Sequence, residues 1–212
     1  YYDWYGYNAA ILASGDADIK ITGTTTEIST EATYATAVFA YKGMIDISDA
    51  TITTSRKNSG GIMVTGGGTI IASDLTVETT GDSSAAIRSD RGGGNITVTG
   101  GTYETYGKGS PAIYSTANIK VTDATLNSDV AQGVVIEGGN SVTLQSTDIT
   151  AEHTEKNGQD STYQAVLIYQ SGSGDASEGK ASFDMTGGSI ANYEGDIFCV
   201  TNTACEIALN GV

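Results

Sequence analysis

The stretch from Asn95 to Thr105, NITVTGGTYET, is followed one repeat later by NIKVTDATLNS, from Asn118 to Ser128. Both copies alternate apolar and polar residues, reach a pair of small or acidic residues, and then alternate again. Related copies begin at Ile45 (IDISDATITT), Ser141 (SVTLQSTDITA) and Phe183 (FDMTGGSIAN). Such self-similarity is typical of repeat architectures, in which each unit packs only against its neighbours.

The leading apolar position of the repeat recurs along most of the chain. It falls at Ile19, Ile45, Ile70, Ile96, Ile119, Val142, Phe183 and Ile207, in steps of 26, 25, 26, 23, 23, 41 and 24 residues. The long step contains polar insertions near 152–163 and 170–180. A further apolar run precedes each copy, so every unit offers three short strands separated by Gly, Asp, Asn and Ser. This pattern predicts an all-β fold, a right-handed parallel β-helix of about eight three-strand coils.

A β-sandwich is the main alternative fold. It would show turn signals every 8–12 residues or so, between antiparallel strands, whereas the repeat here is close to 25 residues. The 212 residues are long enough for one sizeable core, and we therefore expect a single β-helix domain over residues 1–212. We also expect this domain to be a piece of a longer protein.

Charge and composition exclude several functions. The chain has 10 Lys and Arg against 25 Asp and Glu, a net charge of −15, whereas nucleic-acid binding needs a basic surface. No apolar run approaches the ~20 residues that span a bilayer. The single histidine, His153, lies in a polar insertion that we expect to be solvated, and no ligand cluster predicts a metal or a cofactor.

The N-terminal residues 1–8 contain the aromatic run YYDWYGY. An open β-helix end presents bare strands and must be covered, so we predict that this segment is an end cap. A glycan-stacking platform is the alternative. Because the other terminus carries no polar cap, end-to-end self-association is also expected.

Alternation in the upstream runs predicts which side chains point out of the helix. The phase that keeps Arg88 out of the apolar core is favoured, because a charge there would be costly. The predicted outward, apolar binding wall consists of Leu12, Phe39, Met63, Tyr114, Ile136, Leu167 and Phe198. Exposed stripes of this size mark interaction surfaces, although a loop or a terminal segment could instead cover the stripe.

One polar cluster stands out in the sequence, formed by Arg88, Asp90, Arg91 and Glu137. A basic group beside carboxylates could support lyase or hydrolase chemistry. Polysaccharide hydrolysis, however, needs two or three converging carboxylates, and we identify no such set. We therefore favour Arg–carboxylate pairing that stabilises the turns, and we predict no catalytic residue.

The two cysteines, Cys199 and Cys205, both fall at positions that the alternation predicts to point inward. They could be reduced core residues or a disulfide that closes a small loop, because sequence alone does not fix their separation.

Three stretches carry a family resemblance: SDRGGGNITVTGG (Ser89–Gly101), GSPAIYSTA (Gly109–Ala117) and VIEGGNSVTL (Val135–Leu144). They resemble adhesin-like, right-handed parallel β-helix proteins of bacterial surfaces, and the likeness extends from about Ala9 to Val212. The resemblance implies a secreted or cell-surface stalk or binding module with no established reaction.

We therefore expect a non-enzymatic protein whose partner is a glycan or a host or cell-surface protein. Because the same fold also carries enzymes, a polysaccharide lyase or hydrolase of the pectate-lyase-like type is the first alternative. A filament-forming structural unit is the second.

Overall fold

The computed structural model describes residues 2–157 and 162–212, with side chains from Trp4 onward. A short helix, α1 (Tyr2–Tyr5), precedes the strands. The first half of the chain contains β1 (Ile11–Ser14), β2 (Asp18–Ile21), β3 (Thr26–Thr30), β4 (Val38–Tyr41), β5 (Met44–Ser48), β6 (Ala50–Thr54), β7 (Ile62–Thr65), β8 (Gly68–Ser73), β9 (Thr76–Thr79), β10 (Ile87–Ser89), β11 (Gly94–Thr99) and β12 (Thr102–Thr105). The second half contains β13 (Ile113–Ser115), β14 (Asn118–Thr122), β15 (Thr125–Ser128), β16 (Val134–Glu137), β17 (Ser141–Ala151), β18 (Gln164–Tyr169), β19 (Lys180–Asn192), β20 (Asp196–Thr201) and β21 (Ala204–Asn210).

The strands stack coil upon coil. Sheet A has the order β1-β4-β7-β10-β13-β16-β18-β20. Sheet B has two limbs, β2-β5-β8-β11-β14 and β3-β6-β9-β12-β15, which are joined because β17 pairs with the last strand of both. The strand β19 continues both limbs, and β21 follows it. Every pair of named strands in the described ranges is parallel, so the predicted parallel β-helix of about eight coils is confirmed.

The core is a set of inward columns that run along the solenoid. The column predicted from the repeat is confirmed by strand register, for example Ile45 with Ile70 and Ile96 with Ile119. A parallel column in the second limb includes the fully buried Tyr103. Because each short strand buries alternate side chains against the coils on both sides, stacking supplies the apolar burial that a single coil lacks.

The small or acidic pair of each repeat forms the corner between the two limbs of sheet B. Asp49, Asp74 and Asp123 adopt φ values of 54°, 51° and 55°, and Gly100 occupies the equivalent place with φ 69°. Asp, Asn and Gly tolerate this left-handed backbone better than other residues do. Gly101 follows at φ 91°, and a Cβ there would lie 2.3 Å from the Leu75 carbonyl oxygen. The corner therefore favours Asp and Gly, although Ser146 also adopts a φ of 48° at the equivalent place.

A second corner, between sheet B and sheet A, contains a ladder of buried serines. The Ser84 hydroxyl accepts a hydrogen bond from the Ser59 amide at 2.9 Å, and the Ser110 hydroxyl accepts one from the Ser84 amide at 2.9 Å. The Ser84 and Ser110 hydroxyls in turn donate to the carbonyls of Arg56 and Gly81. Repetition of serine in three successive coils thus satisfies backbone groups that would otherwise be buried without partners.

The last coil is more exposed than the others. Ile207 and Leu209 of β21 retain 36% and 47% of their accessible surface. End-to-end association through this coil stays a prediction. Among the described residues, no helix has both the length and the apolar character needed to cross a membrane.

Candidate functional site

The outward residues of sheet A form one continuous column. Strand register gives its members as Leu12, Phe39, Met63, Arg88, Tyr114, Val135, Leu167 and Cys199. The prediction was wrong for Ile136, which is fully buried in the core, and for Phe198, whose ring packs edge-on against Phe183 at 5.3 Å. Both residues lie in runs of consecutive apolar residues, where alternation cannot fix the phase.

Most of this column is covered rather than open. Phe39, Met63 and Leu167 retain only 1%, 2% and 2% of their accessible surface. The N-terminal segment covers the first strands, because a Cβ on Gly6 would lie 2.6 Å from the Phe39 ring. The prediction of an open apolar wall is therefore wrong at Phe39, Met63 and Leu167, and its alternative, cover by a terminal segment, is correct at Phe39. Burying large apolar side chains in this way is favourable by roughly 25 cal/mol per Å².

The segment predicted as an end cap thus lies at least partly along the side of the helix. The Thr65 hydroxyl, on the third strand of sheet A, donates to the Trp4 carbonyl at 2.6 Å. The Tyr5 ring packs edge-on against Tyr41 with 4.9 Å between centroids. These contacts hold residues 4–8 against the outer face of sheet A.

Arg91 links two covering segments. Its Cζ lies 3.8 Å from the centroid of the Trp4 ring, a cation–π contact, and its Nε is 2.8 Å from Asp175 Oδ1. Asp175 belongs to the polar insertion at 170–180, so Arg91 connects this loop to the N-terminal segment. The role supported by these contacts is structural.

Arg88 and Asp90 form an ion pair beside Tyr114. Arg88 Nη2 lies 2.5 Å from Asp90 Oδ2, and the two side chains are 22% and 5% exposed. The second carboxylate oxygen of Asp90 accepts a hydrogen bond from the Arg91 amide at 2.8 Å. The Arg88 guanidinium also lies 5.6 Å from the Tyr114 ring centroid. The Asp90 carboxylate therefore largely compensates the positive charge of Arg88.

Glu137 is the centre of a buried hydroxyl network. Its side chain is almost fully buried, and its carboxylate accepts hydrogen bonds from the hydroxyls of Tyr114 and Ser171. Tyr169 and Ser173 donate to the same carboxylate, each at 3.3 Å. Four hydroxyl donors satisfy this buried carboxylate, as burial of a charge requires.

The two tyrosines of this network are held neutral. Burial raises the pKa of Tyr114 far above its usual value, and the neighbouring Tyr169 and Glu137 raise it further. Burial, with the charge of Glu137, raises the pKa of Tyr169 to about 12. Both phenols therefore stay protonated at neutral pH and donate to Glu137.

A groove opens over these tyrosines, on the part of the column that is left uncovered. It comprises a cavity of about 200 Å³ and an adjoining one of about 60 Å³. Among the described residues, the lining of the larger cavity includes the side chains of Ser83, Arg88, Pro111, Tyr114, Asn157 and Tyr169. We call these six residues the tyrosine groove. It offers aromatic rings, an amide, a hydroxyl and a guanidinium to a ligand.

The sequence identified only part of this site. It singled out Arg88, Tyr114 and Glu137, which the fold brings together, whereas Arg91 is turned toward Trp4. It missed Tyr169, although β18 places this residue beside Glu137 in the next coil. The polar insertion between these coils interrupts the repeat spacing and conceals that pairing. Nothing in the sequence pattern distinguishes Asn157, which the same insertion delivers to the groove.

Neither the two cysteines nor the histidine lines the tyrosine groove. Cys199 and Cys205 are both free thiols. Cys205 packs against the main core, but Cys199 belongs to the outward column, so its predicted inward orientation was wrong.

His153 is fully buried rather than solvated, and its Nδ1 accepts a hydrogen bond from the Gln164 amide at 2.9 Å. Across residues 2–157 and 162–212, no three His, Cys, Asp or Glu side chains are grouped as metal ligands would be.

A larger depression, of about 290 Å³, lies on another side of the solenoid. Its described lining includes the carboxylates of Glu104, Asp129 and Glu152, with Tyr106 as the one aromatic ring. An acidic cluster of this kind is an ordinary solvated surface of a protein with net charge −15. The tyrosine groove is the better candidate, because it combines rings with several types of hydrogen-bonding group.

Comparison of the chain with protein-family models, with curated proteins and with solved structures finds no match. The functional argument therefore depends on the groove itself.

Proposed function

We propose that this protein is a non-enzymatic, adhesin-like binding module of the cell surface or the secreted milieu, and that it binds a glycan in the tyrosine groove. The observation that carries the proposal is the pair of tyrosines, Tyr114 and Tyr169, lining one groove with Asn157. Tyrosine combines an apolar ring, which suits the C–H faces of a sugar, with a polar hydroxyl. An amide and a guanidinium supply the directional donors that fix a polyhydroxylated ligand.

The groove is also preorganised for binding. The hydroxyls of Tyr114 and Tyr169 are anchored on Glu137, and strand pairing holds the backbones of β13, β16 and β18 in register. Rings that are fixed before the ligand arrives lose little conformational entropy on binding. A rigid solenoid with a shaped groove is therefore suited to recognition.

The same contacts disfavour catalysis. Glu137 is buried and accepts four hydroxyl hydrogen bonds, and Asp90 is paired with Arg88. Glycoside hydrolysis uses two carboxyl groups on opposite sides of the scissile bond. The described lining of the groove supplies no such pair. The lyase or hydrolase alternative would be supported only if the protein released unsaturated or reducing ends from polysaccharides.

A glycan array with matched variants tests the proposal. We expect Tyr114→Ala and Asn157→Ala to weaken binding of any array hit by about tenfold or more, equivalent to about 1.4 kcal/mol. Asn157 is exposed on a loop, so we expect its replacement to disturb the fold less than loss of the Tyr114 ring. Tyr106→Ala is the control, because Tyr106 is 43% exposed and belongs to the acidic depression. An array without hits at high protein concentration, or hits that are insensitive to both groove variants, would contradict the proposal.

A further inference from the structure

The charged side chains at the tyrosine groove are compensated or negative. Arg88 is the one charged residue among the described residues that line its larger cavity, and Asp90 compensates this charge at 2.5 Å. The buried Glu137 carboxylate lies next to the groove, in direct contact with both tyrosine hydroxyls. A ligand in the groove therefore meets an ion pair and lies near a buried carboxylate.

The whole molecule adds to this local field. Its net charge is −15, and low salt leaves such a field effective over roughly 10–30 Å. An anionic polysaccharide would be repelled during approach, because like charges disfavour encounter and docking. An uncharged sugar is not repelled, and its hydroxyls can still accept hydrogen bonds from the amide and the guanidinium.

The size of the groove limits what it recognises. The two cavities, about 200 and 60 Å³, together lie near the lower end of ligand pockets, which span roughly 300–1,000 Å³. A space of this size accommodates one or two sugar units of a longer chain. Selection must therefore act on the substituents of those units.

From the charge compensation at Arg88 and the buried carboxylate that contacts both tyrosine hydroxyls, we infer that the tyrosine groove selects uncharged sugars and discriminates against uronic acids. This inference rests on the proposed glycan-binding function, and it specifies the ligand class of the same groove. It also separates the protein from β-helix enzymes that act on acidic polysaccharides.

Matched pairs of hexasaccharides provide the test. The probes are gluco-, manno- and galacto-hexasaccharides with their glucuronate, mannuronate and galacturonate counterparts, so the members of a pair differ only at C6. At low salt we expect at least one neutral member to bind about tenfold tighter than its uronate. This difference in affinity between the neutral sugar and its uronate, which we call the gap, should become smaller at high salt, because screening weakens the repulsion.

Two isosteric variants locate the origin of the discrimination. Asp90→Asn removes the charge that compensates Arg88, so we expect it to narrow the gap between the neutral and the acidic member several-fold. Asp184→Asn, on the outer face of sheet B, changes the net charge equally and should leave the gap nearly unchanged. If both variants change the gap equally, the discrimination comes from the net charge of the protein, and selection by the groove itself is contradicted.

The remaining outcomes are distinct. Tighter binding of any uronate than of its neutral counterpart would overturn the inference while leaving glycan binding intact. If all six probes fail but the array shows binding of other uncharged sugars, those sugars and their anionic derivatives take the place of the probes. Tighter binding of the anionic derivative would then overturn the inference. A failure of every glycan would overturn the proposed function together with this inference.

Discussion

At the scale of single residues, hydrogen bonds to buried polar groups stabilise the fold. Glu137 is nearly inaccessible to solvent, yet the hydroxyls of Tyr114, Tyr169 and Ser171 donate to its carboxylate. The Ser84 hydroxyl has a similar role within the serine ladder. Each such group would cost about 1–3 kcal/mol if it were left without its partner. The Glu137 carboxylate is therefore satisfied partly by an inserted loop, and the Ser84 hydroxyl by the repeat itself.

The raised pKa of Tyr169 predicts a loss of stability in alkali. Between the usual tyrosine pKa of 10.0 and the folded value of about 12, the unfolded chain releases this proton while the folded protein retains it. The free energy of unfolding must therefore fall as the pH rises through this window. Urea titrations between pH 8 and 11.5 should show this decline, and Tyr169→Phe should make it shallower.

The exposed Tyr193 provides the control for this measurement, since it retains 73% of its accessible surface. Replacement of Tyr193 by phenylalanine should leave the pH dependence of unfolding as it is in the original protein. An unchanged slope in Tyr169→Phe would mean that its phenol is not held neutral by the fold.

At the scale of elements, the molecule combines stacked strands with two segments that cover sheet A. The segment at 4–8 covers Phe39, and the insertion at 170–180 reaches Glu137 and Arg91. The two covering segments meet at Arg91, between Trp4 and Asp175. The groove is the part of the outer column that they leave accessible, so the covering segments determine its position.

The contact between Trp4 and Arg91 should contribute measurably to stability. A cation–π contact is worth about 0.5–2 kcal/mol, depending on its exposure. We expect Trp4→Ala to lower the free energy of unfolding by more than this amount, because packing is lost as well. The pairwise part is isolated by a double-mutant cycle with Arg91→Ala, followed by urea denaturation. A coupling energy near zero would show that the two residues are neighbours without a stabilising interaction.

Sequence predicted the strands far better than it predicted their cover. The column that starts at Ile19 was confirmed in every coil, because in most coils a polar residue separates it from the next apolar position. In sheet A the phase was correct as far as Ile113, slipped by one residue at Val134, was correct again at Val166 and slipped again at Phe198. The run VVIE is apolar at three successive positions, so only pairing with the preceding coil determines which side chain points inward.

The covering segments have no period, and their contacts join distant parts of the chain. The ion pair of Arg91 with Asp175 spans 84 residues, and the Thr65–Trp4 hydrogen bond spans 61. Neither contact leaves a pattern in the sequence, because no repeated spacing relates the partners. The groove therefore depends on the tertiary arrangement, whereas the solenoid follows from local alternation.

At the scale of the whole molecule, one rigid solenoid presents several chemically different faces. One side has an acidic depression with Glu104 and Glu152, whereas the outer face of sheet A has the tyrosine groove. Stacking of coils makes every face continuous, so a functional site can form wherever side chains of adjacent coils coincide. The groove forms where β13, β16 and β18 bring Tyr114, Glu137 and Tyr169 into contact.

The most direct test of glycan binding in the tyrosine groove is an NMR titration of the protein with the tightest-binding uncharged oligosaccharide from the array. The predicted result is saturable chemical-shift change centred on Tyr114, Asn157 and Tyr169, with sheet B unaffected. Saturable shifts centred on the acidic depression, or no shift at a ligand concentration that saturates the array signal, would contradict the account.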